Sequence, residues 1–166
     1  MSLSRKEIGQ RLSRFVGRCR ETGVRLTPQR VEVYRELAST EEHPDVETIF
    51  RRIRRRMPTV SRDTVYRTLC TLEEMGLVSR VGILSGPARF DANTEAHHHF
   101  VCRKCGLVRD FCSDRLDRLS HPPGVRRWGS VESMHLQVRG VCADCAGRGA
   151  RQDPVESKKG TREGRR

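Results

Sequence analysis

Apolar positions recur at helical spacing in four successive stretches of the first half of the chain. The first stretch opens on Ser4 and Glu7, the two members of a capping box, and ends at Gly23. The second has Thr27 as a candidate N-cap and Pro28 at the first helical position, a combination that favours the start of a helix. These patterns predict two amphipathic helices at the beginning of the chain.

The next two stretches are also helical in pattern. The third follows His43, and arginines crowd the faces that its apolar residues leave free: Arg51, Arg52, Arg54, Arg55 and Arg56. We therefore expect this helix to have a strongly positive outer face. The fourth stretch begins after Ser61 and stops at Gly76, where a left-handed C-cap fits.

Two short strand-like segments, residues 77–84 and 88–91, follow the helices, and the turn-forming residues between them indicate a hairpin through Ser85, Gly86 and Pro87. Helices followed by a two-stranded ribbon predict a winged-helix DNA-binding domain, with its hinge, over residues 1–90. Its fourth helix would lie in a DNA major groove. The residues expected to contact DNA are Tyr66, Arg67, Arg62 and Thr64. A helical bundle with a hairpin and no DNA partner is the alternative.

The second lobe, residues 91–145, combines strand-like patterns with a predicted helix near residues 114–120. In its last strand pattern Leu136 and Val138 alternate with polar residues, which is typical of a half-buried strand. The predicted fold class is therefore α+β, a winged helix followed by a small α/β domain. Residues 146–166 are basic and lack periodicity, so we expect them to form a disordered tail.

The composition limits the function classes. The 166 residues are 35% hydrophobic and 33% charged, so the core is lean and a metal or a partner chain could be needed to stabilise it. Neither a membrane-length apolar run nor a secretion signal is present, which predicts a cytoplasmic protein without a membrane partner. In that reducing compartment the seven cysteines are expected to be metal ligands or free thiols rather than disulfides.

Positive charge is concentrated in the first lobe and the tail. Residues 1–90 carry 18 Lys and Arg against 11 Asp and Glu, residues 91–145 carry 8 against 7, and residues 146–166 carry 7 against 3. A basic lobe favours a polyanionic partner, most often nucleic acid, although a solvated charged face would have the same composition.

Two CxxC pairs, Cys102 with Cys105 and Cys142 with Cys145, are separated by 36 residues. Each pair can occupy two corners of a tetrahedron, the geometry of closed structural Zn²⁺ sites. We therefore predict one structural zinc per subunit and expect the second lobe to unfold without it. A redox function is the alternative, but it would need only one of the two pairs.

Three consecutive histidines precede the first CxxC pair. Because alternate residues of a strand share a face, His97 and His99 should point together and His98 away. Asp91 and Asp110 flank them, and two imidazoles with two carboxylates suit Fe²⁺, Mn²⁺ or Zn²⁺ better than Cu⁺. Taken alone the pattern is weak, because solvent-exposed histidines would also explain it.

Four motifs together, "ETGVRLTPQR", "SRDTVYRTL", "HHHFVCRKCG" and the terminal CxxC, resemble the ferric uptake regulator family of metal-dependent repressors over residues 20–145. The resemblance implies a homodimer with a winged-helix domain, a hinge and a dimerisation domain that often holds a Cys₄ zinc. It also implies a regulatory site for one Fe²⁺ or Mn²⁺ per subunit, with the ligands His43, Asp91, His97, His99 and Asp110.

Aspartate at both position 91 and position 110 resembles the peroxide-responsive repressors of the family, whereas iron sensors more often place glutamate at one or both. In those peroxide sensors Fe²⁺ reacts with hydrogen peroxide and oxidises a ligating histidine, which abolishes DNA binding. The resemblance thus implies a repressor of double-stranded operator DNA that senses peroxide through His97 or His99. Sensing of iron level is the alternative within the family.

Two departures from the family pattern concern other sites. Ala96, His98 and Met134 stand where many iron sensors bind a further metal, so we expect that site to be absent or altered despite His135. Asp63 places an acidic residue beside the recognition helix and close to the DNA phosphates, so the sequence does not define the operator.

Two other function classes compete with a repressor. We expect no enzymatic activity and no organic substrate, because an iron oxygenase would need a substrate cavity that this short chain has little sequence to build. An RNA-binding zinc module would need aromatic stacking residues on a sheet, and the chain has few.

Overall fold

Four helices and a two-stranded sheet form the first lobe in the computed structural model, which describes residues 3–82, 86–131, 134 and 136–149. The helices are α1 (Arg5–Thr22), α2 (Pro28–Ala38), α3 (Val46–Arg54) and α4 (Arg62–Glu74). The strands are β1 (Ser79–Val81) and β2 (Arg89–Asp91), which pair antiparallel. The predicted winged-helix arrangement is confirmed, although both strands are shorter than their sequence patterns, and residues 83–85 of the predicted hairpin connection lie outside the described residues.

The predicted helix ends are set by local side-chain chemistry. At the start of α1, the Ser4 hydroxyl accepts a hydrogen bond from the Glu7 amide at 3.2 Å, while the Glu7 carboxylate accepts one from the Ser4 amide at 2.7 Å. Thr27 caps α2 in the same way through the amide of Arg30. Gly23 and Gly76 adopt left-handed φ values of 69° and 68°, the conformation that ends a helix at least cost for glycine.

Helix α3 begins at Val46, the first apolar residue of its pattern, because Asp45 caps it by accepting a hydrogen bond from the Thr48 amide at 2.7 Å, and it ends at Arg54, before the pattern does. Its arginines do not form one uniform positive face. Arg52 and Arg56 form ion pairs with carboxylates of α2 and the loop after it: Glu32, Glu36 and Glu42. The expected outer positive face is therefore narrower and consists of the exposed residues Arg51, Arg54 and Arg55.

One hydrophobic core holds the first lobe together. Phe15 of α1 stacks on Tyr34 of α2 with ring centroids 4.6 Å apart, and both side chains are almost fully buried. The buried residues of α3 and α4 that join them are Ile49, Ile53, Val65, Leu69 and Leu72.

The second lobe contains a three-stranded sheet in the order β4-β3-β5 and three short helices. Its elements are β3 (His98–Cys102), β4 (Val108–Phe111), α5 (Asp114–Asp117), a 3₁₀ helix (Pro123–Arg127), β5 (Gln137–Gly140) and α6 (Ala143–Gly149). Strand β3 pairs antiparallel with β4 and parallel with β5. The mixed helix and sheet content confirms the α+β prediction.

Two predicted boundaries in the second lobe were wrong. The helix expected near residues 114–120 is a single turn ending at Asp117, and the tail expected to be disordered from Ala146 begins with helix α6, which continues to Gly149. Residues 150–166 lie outside the described residues. No helix in the described part of the chain has the length and apolarity needed to cross a bilayer.

Candidate metal centres

Five side chains from both lobes converge on one point. His43, Asp91, His97, His99 and Asp110 each direct one donor atom into a group in which all donor atoms lie within 4.8 Å of one another. Nε2 of His97 lies 2.9 Å from both Oδ2 of Asp91 and Nε2 of His99. Nε2 of His43 lies 2.8 Å from Oδ1 of Asp110. The structure therefore brings together all five residues that the sequence analysis named for a regulatory site.

The loop before α3 places His43. Its backbone φ of 51° is the only positive value at a non-glycine residue in the described chain, which indicates a strained position. Strand β2 holds this loop, because Arg89 Nη1 donates to the His43 carbonyl at 3.2 Å and the Phe90 amide donates to the Pro44 carbonyl at 3.1 Å. The next residue of β2 is Asp91, so the same backbone contacts place two of the five donors.

The other three donors come from the second lobe through strand register. His97 and His99 alternate around His98, and His99 is directly opposite Asp110 in the antiparallel pair of β3 and β4. Their side chains therefore lie on the same face of the sheet. His98 faces the other way, as predicted: its Nε2 lies 3.1 Å from Oδ1 of Asp117, and its Nδ1 accepts from the Leu136 amide.

Backbone carbonyls orient two of the imidazoles. Nδ1 of His43 contacts the Glu41 carbonyl at 3.1 Å, and Nδ1 of His97 contacts the Glu95 carbonyl at 2.7 Å. A carbonyl only accepts hydrogen bonds, so Nδ1 must carry the proton and Nε2 of each ring can present its lone pair to the cluster. The same outer contact is usual for metal-ligating histidines.

The cluster fits a divalent cation better than it fits a network of hydrogen bonds. His43 Nε2 and Asp91 Oδ2 are buried, yet neither makes a hydrogen bond of acceptable geometry despite the short distances around them. Ligand atoms about 2.0–2.2 Å from one shared cation would lie about 3–4 Å apart, the range found here. Imidazole nitrogens with carboxylate oxygens suit Fe²⁺, Mn²⁺ or Zn²⁺.

Proximity also changes the proton affinities of these groups. Burial would lower the pKa of His43, but the carboxylates of Asp110 and Asp91 outweigh burial and raise it to about 9. The pKa of His97 is raised too, chiefly by Asp91. Burial would raise the pKa of Asp91, but the three surrounding imidazoles hold it well below its usual range. Without a cation, protonated imidazoles therefore balance the negative charge of the Asp91 carboxylate.

Four cysteines form a second group. The sulfurs of Cys102, Cys105, Cys142 and Cys145 all lie within 4.8 Å of one another. The Sγ atoms of Cys105 and Cys142 are 3.7 Å apart, close to the separation of about 3.8 Å expected for two thiolates on a tetrahedral Zn²⁺. Backbone amides of Cys105 and Cys142 lower the pKa of Cys102 to about 6, whereas the neighbouring sulfurs raise the pKa of Cys145 to about 12. A divalent cation would remove this mutual repulsion.

The candidate DNA contacts lie at the start of α4. Tyr66 is 46% exposed, and the Arg67 side chain is 80% exposed and 4.0 Å from Asp63. Arg62 is exposed but contacts Glu47 at 3.2 Å, and the hydroxyl of Thr64 contacts the capping residue of its own helix. Among the four candidate DNA contacts, Tyr66 and Arg67 are therefore the exposed side chains that neighbouring residues engage least.

Sequence reasoning missed two residues around these clusters. Nothing local marks Arg89, which fastens the His43 loop, because a single arginine in a short strand has no distinctive pattern. The sequence also did not indicate Asp117 as the partner of His98, because the apolar pattern did not define where the helix containing Asp117 ends. Among the described residues only the two groups above could hold a metal. Ala96 and Met134 are exposed, and His135 lies outside the described residues.

Comparison with known proteins gives consistent matches. The model of the ferric uptake regulator family matches residues 21–138. A peroxide-responsive repressor, PerR of Staphylococcus epidermidis, is 31% identical over 145 residues, which cover 87% of this chain and 97% of that protein.

Two solved structures are similar over most of the chain. The Helicobacter pylori ferric uptake regulator Fur matches with a TM-score of 0.69 at 23% identity, covering 84% of this chain and 93% of that one. A zinc uptake regulator complexed with zinc and DNA matches with a TM-score of 0.61 at 26% identity, covering 86% and 97%. The first likeness concerns the fold alone.

Metal affinity of the histidine–aspartate cluster should rise with pH. Because the pKa of His43 is raised to about 9, this residue stays protonated at neutral pH, and a cation must displace the proton. Mn²⁺ affinity should therefore increase by up to about tenfold per pH unit between about pH 6.5 and 9, measured by calorimetry. His43→Gln should bind more weakly with a shallower pH dependence; equal slopes for both proteins would contradict this origin.

Removing one thiolate should unfold the second lobe. Its buried apolar residues are few, chiefly Val101 and Val108, whereas structural zinc contributes about 10–16 kcal/mol in zinc-finger peptides. Cys105→Ser should lose its zinc and the β-sheet signal of the second lobe while the helical lobe persists, as measured by elemental analysis and circular dichroism. Cys112→Ser, an exposed cysteine outside the group, is the control and should retain both.

Proposed function

Because the chain belongs to the ferric uptake regulator family, and so is a metal-responsive transcriptional regulator, we propose that it is a repressor that senses hydrogen peroxide through its histidine–aspartate cluster. One observation carries the proposal: donors from the DNA-binding lobe and the second lobe converge on a single point. A cation held there would connect the position of the winged helix to the chemistry of the cluster.

The assignment of ligands follows from this geometry. We propose that His43, Asp91, His97, His99 and Asp110 hold one regulatory Fe²⁺ or Mn²⁺ per subunit, and that Cys102, Cys105, Cys142 and Cys145 hold one structural Zn²⁺. The domain division proposed with it is residues 1–90 for DNA binding with the hinge, residues 91–145 for metal binding and dimerisation, and residues 146–166 for the tail.

The cluster supports a two-state mechanism. His43 belongs to the first lobe and Asp110 to the second, so all five donors can be used only when the lobes are closed on each other. Closure would set the distance between the two recognition helices of a dimer, which must match the spacing of DNA half-sites. Moving a 1:99 population to 99:1 requires about 10⁴-fold tighter binding to the closed state, a difference that donors from two lobes can provide.

Peroxide sensing is supported by the carboxylates. Asp91 and Asp110 are both aspartates, the pattern that resembles the peroxide-responsive branch, and a PerR is among the relatives at about 30% identity. Bound Fe²⁺ would act as the catalyst: one oxygen atom of hydrogen peroxide would be added to a neighbouring imidazole, which loses two electrons, and the other oxygen atom would leave as water. Oxidation of His97 or His99 would remove a buried nitrogen donor and release the first lobe. Sensing of iron level by the same cluster is the second candidate.

We propose double-stranded operator DNA as the partner of α4. Tyr66 and Arg67 project from the exposed face of this helix, and Arg62 and Thr64 lie one turn before them. The unpaired arginines of α3, namely Arg51, Arg54 and Arg55, add positive charge to the same lobe. Charged side chains of this kind supply the phosphate contacts that position a helix on DNA.

Exposed apolar residues of the second lobe support a homodimer. Trp128 is 82% exposed, and Val138 on β5 is 42% exposed although its alternating pattern predicts a half-buried strand. Other large apolar side chains on the surface of this lobe are Leu119, Val131 and Met134. Several exposed large apolar side chains in one small lobe, one of them on the edge strand β5, support a subunit interface on this lobe.

The sensing proposal is tested by DNA binding with and without peroxide. Fe²⁺-loaded and Mn²⁺-loaded protein should both bind operator DNA, and stoichiometric hydrogen peroxide should abolish binding only of the iron form. Mass spectrometry of residues 91–110 should then find one added oxygen on His97 or His99. Unchanged binding with unmodified histidines would establish a sensor of metal level instead.

Single substitutions distinguish a loss of metal binding by the cluster from a loss of the folded structure. His97→Ala and Asp110→Ala should abolish metal-dependent DNA binding while leaving a folded, zinc-containing dimer. His98→Ala is the matched control, since His98 shares the strand but faces Asp117, and it should keep metal-dependent binding. Full activation of His97→Ala by metal would refute the ligand assignment.

Introducing a charged residue tests the proposed dimer surface. Val138→Arg should weaken self-association by at least about tenfold, because an arginine cannot be desolvated in an apolar interface without a partner. Light scattering coupled to size exclusion measures the effect. Leu26→Arg, at a similarly exposed apolar position of the first lobe, should leave the oligomeric state unchanged; an identical response of both variants would contradict the proposed interface.

A further inference from the structure

A basic cavity lies between the wing, which is the hairpin of β1 and β2, and the turn that carries the first CxxC pair. It has a volume of about 260 Å³ and is lined by Gly86 and Pro87 of the wing connection on one side and by the turn residues Arg103 and Lys104 on the other. Arg89 of β2 and Arg139 of β5 complete its positive lining. Among the residues that the structure describes, no carboxylate lines the cavity, and the proposed zinc ligands Cys102 and Cys105 form part of its wall.

These four cations lack carboxylate partners at ion-pair distance. Within the described parts of the chain, none of Arg89, Arg103, Lys104 and Arg139 forms an ion pair with a carboxylate, although Arg89 faces Asp45 across an isolated β-bridge and its charge acts on that carboxyl. By contrast, Arg52 of α3 and Arg56 just after it are paired. Arg139 donates only to the amide oxygen of Gln137, at 3.3 Å. Four cations around one concavity exceed the charge of −2 that a zinc held by four thiolates would carry, so the cavity keeps a positive potential.

Arg89 has hydrogen-bonding capacity that the protein does not use. Its Nη1 donates to the His43 carbonyl, but its Nε is buried and has no partner. Its Nη2 lies 3.4 Å from the position that a Cβ on Gly106 would occupy, so the glycine leaves room for the guanidinium. A buried donor without an acceptor is costly, and an anion beside it would remove that cost.

We propose that this cavity is a binding site for a phosphate group. Its volume is below the range of about 300–1,000 Å³ typical of pockets for drug-sized ligands, which favours one small anion. Arginine and lysine around a glycine-containing turn are the groups that recognise phosphate oxygens. The group could belong to free inorganic phosphate or to the DNA backbone, because the wing connection forms part of the lining.

The site lies beyond the proposed sensing function but shares one side chain with it. Arg89 lines the cavity and also holds the strained His43 loop, so an anion there would contact the guanidinium that fixes a proposed regulatory ligand. The phosphate measurement below requires neither DNA nor a regulatory metal. Its failure would therefore leave the proposed function intact.

The first experiment titrates inorganic phosphate into the zinc-loaded full chain without regulatory metal, followed by calorimetry. The double variant Lys104→Gln/Arg139→Gln should weaken phosphate binding by about tenfold or more while retaining zinc. Arg54→Gln/Arg55→Gln removes the same charge from α3 and should change the affinity less than about twofold. Absence of saturable phosphate binding in the wild type, or an equal loss in both variants, would overturn the proposal and leave the four cations as counter-charges to the zinc thiolates.

The second experiment identifies the source of the phosphate. If the DNA backbone occupies the site, Lys104→Gln/Arg139→Gln should bind DNA more weakly, with a salt-dependence slope smaller by about 1–2 than the wild-type slope. If free phosphate occupies it, the variant should bind DNA with wild-type affinity in phosphate-free buffer while still losing phosphate affinity. Each result supports the site and assigns its occupant.

Discussion

The arrangement of this molecule depends on the contact that fastens the His43 loop to strand β2. Two backbone carbonyls of the loop, those of His43 and Pro44, accept hydrogen bonds from Arg89 and Phe90. The following residue, Asp91, is the last residue of β2 and lies at the boundary between the two lobes. This contact therefore holds the helical lobe, the wing and the start of the second lobe in one geometry, and it keeps His43 in a backbone conformation that a free loop would rarely adopt.

The second lobe has little apolar core of its own. The first lobe has a continuous core built around Phe15 and Tyr34, whereas the second relies on a small valine cluster and on the cysteines themselves. Packing is tight where β5 passes Phe100: a Cβ on Gly140 would lie 3.0 Å from the ring, so a larger residue there would have to displace it. A domain of this kind depends on cross-links between strands, which is the role proposed for the four cysteines.

Some arginines of the first lobe form ion pairs within the protein, and others are left exposed on its surface. Two arginines of α3 bind carboxylates of α2 and the following loop, while Arg51, Arg54 and Arg55 remain exposed. The carboxylates of the cluster are screened from solvent to different degrees, since the Asp91 side chain is 6% exposed and the Asp110 side chain 26%. A cavity of about 600 Å³ lies between the loop after α2 and strand β4, and Asp110 forms part of its lining.

The sequence by itself determined the bounds of α1, α2 and α4, the presence of two strands in the wing, the CxxC pairs and the opposite directions of His98 and its neighbours. Each of these depends on chemistry within a few residues: a capping hydroxyl, a glycine with positive φ, or the alternation of a strand. The early end of α3 at Arg54 and the short α5 were missed because apolar spacing marks a helix better than it marks its ends.

The five donors of the cluster were named with help from a family resemblance, and spacing alone left His43 unassigned. Only the tertiary structure decided that His43 meets Asp110, that Arg89 holds the loop, and that unpaired cations surround the cavity beside the wing. These contacts depend on the register between strands and on the packing of one lobe against the other. Such relations join residues far apart in the chain, and no local pattern records them.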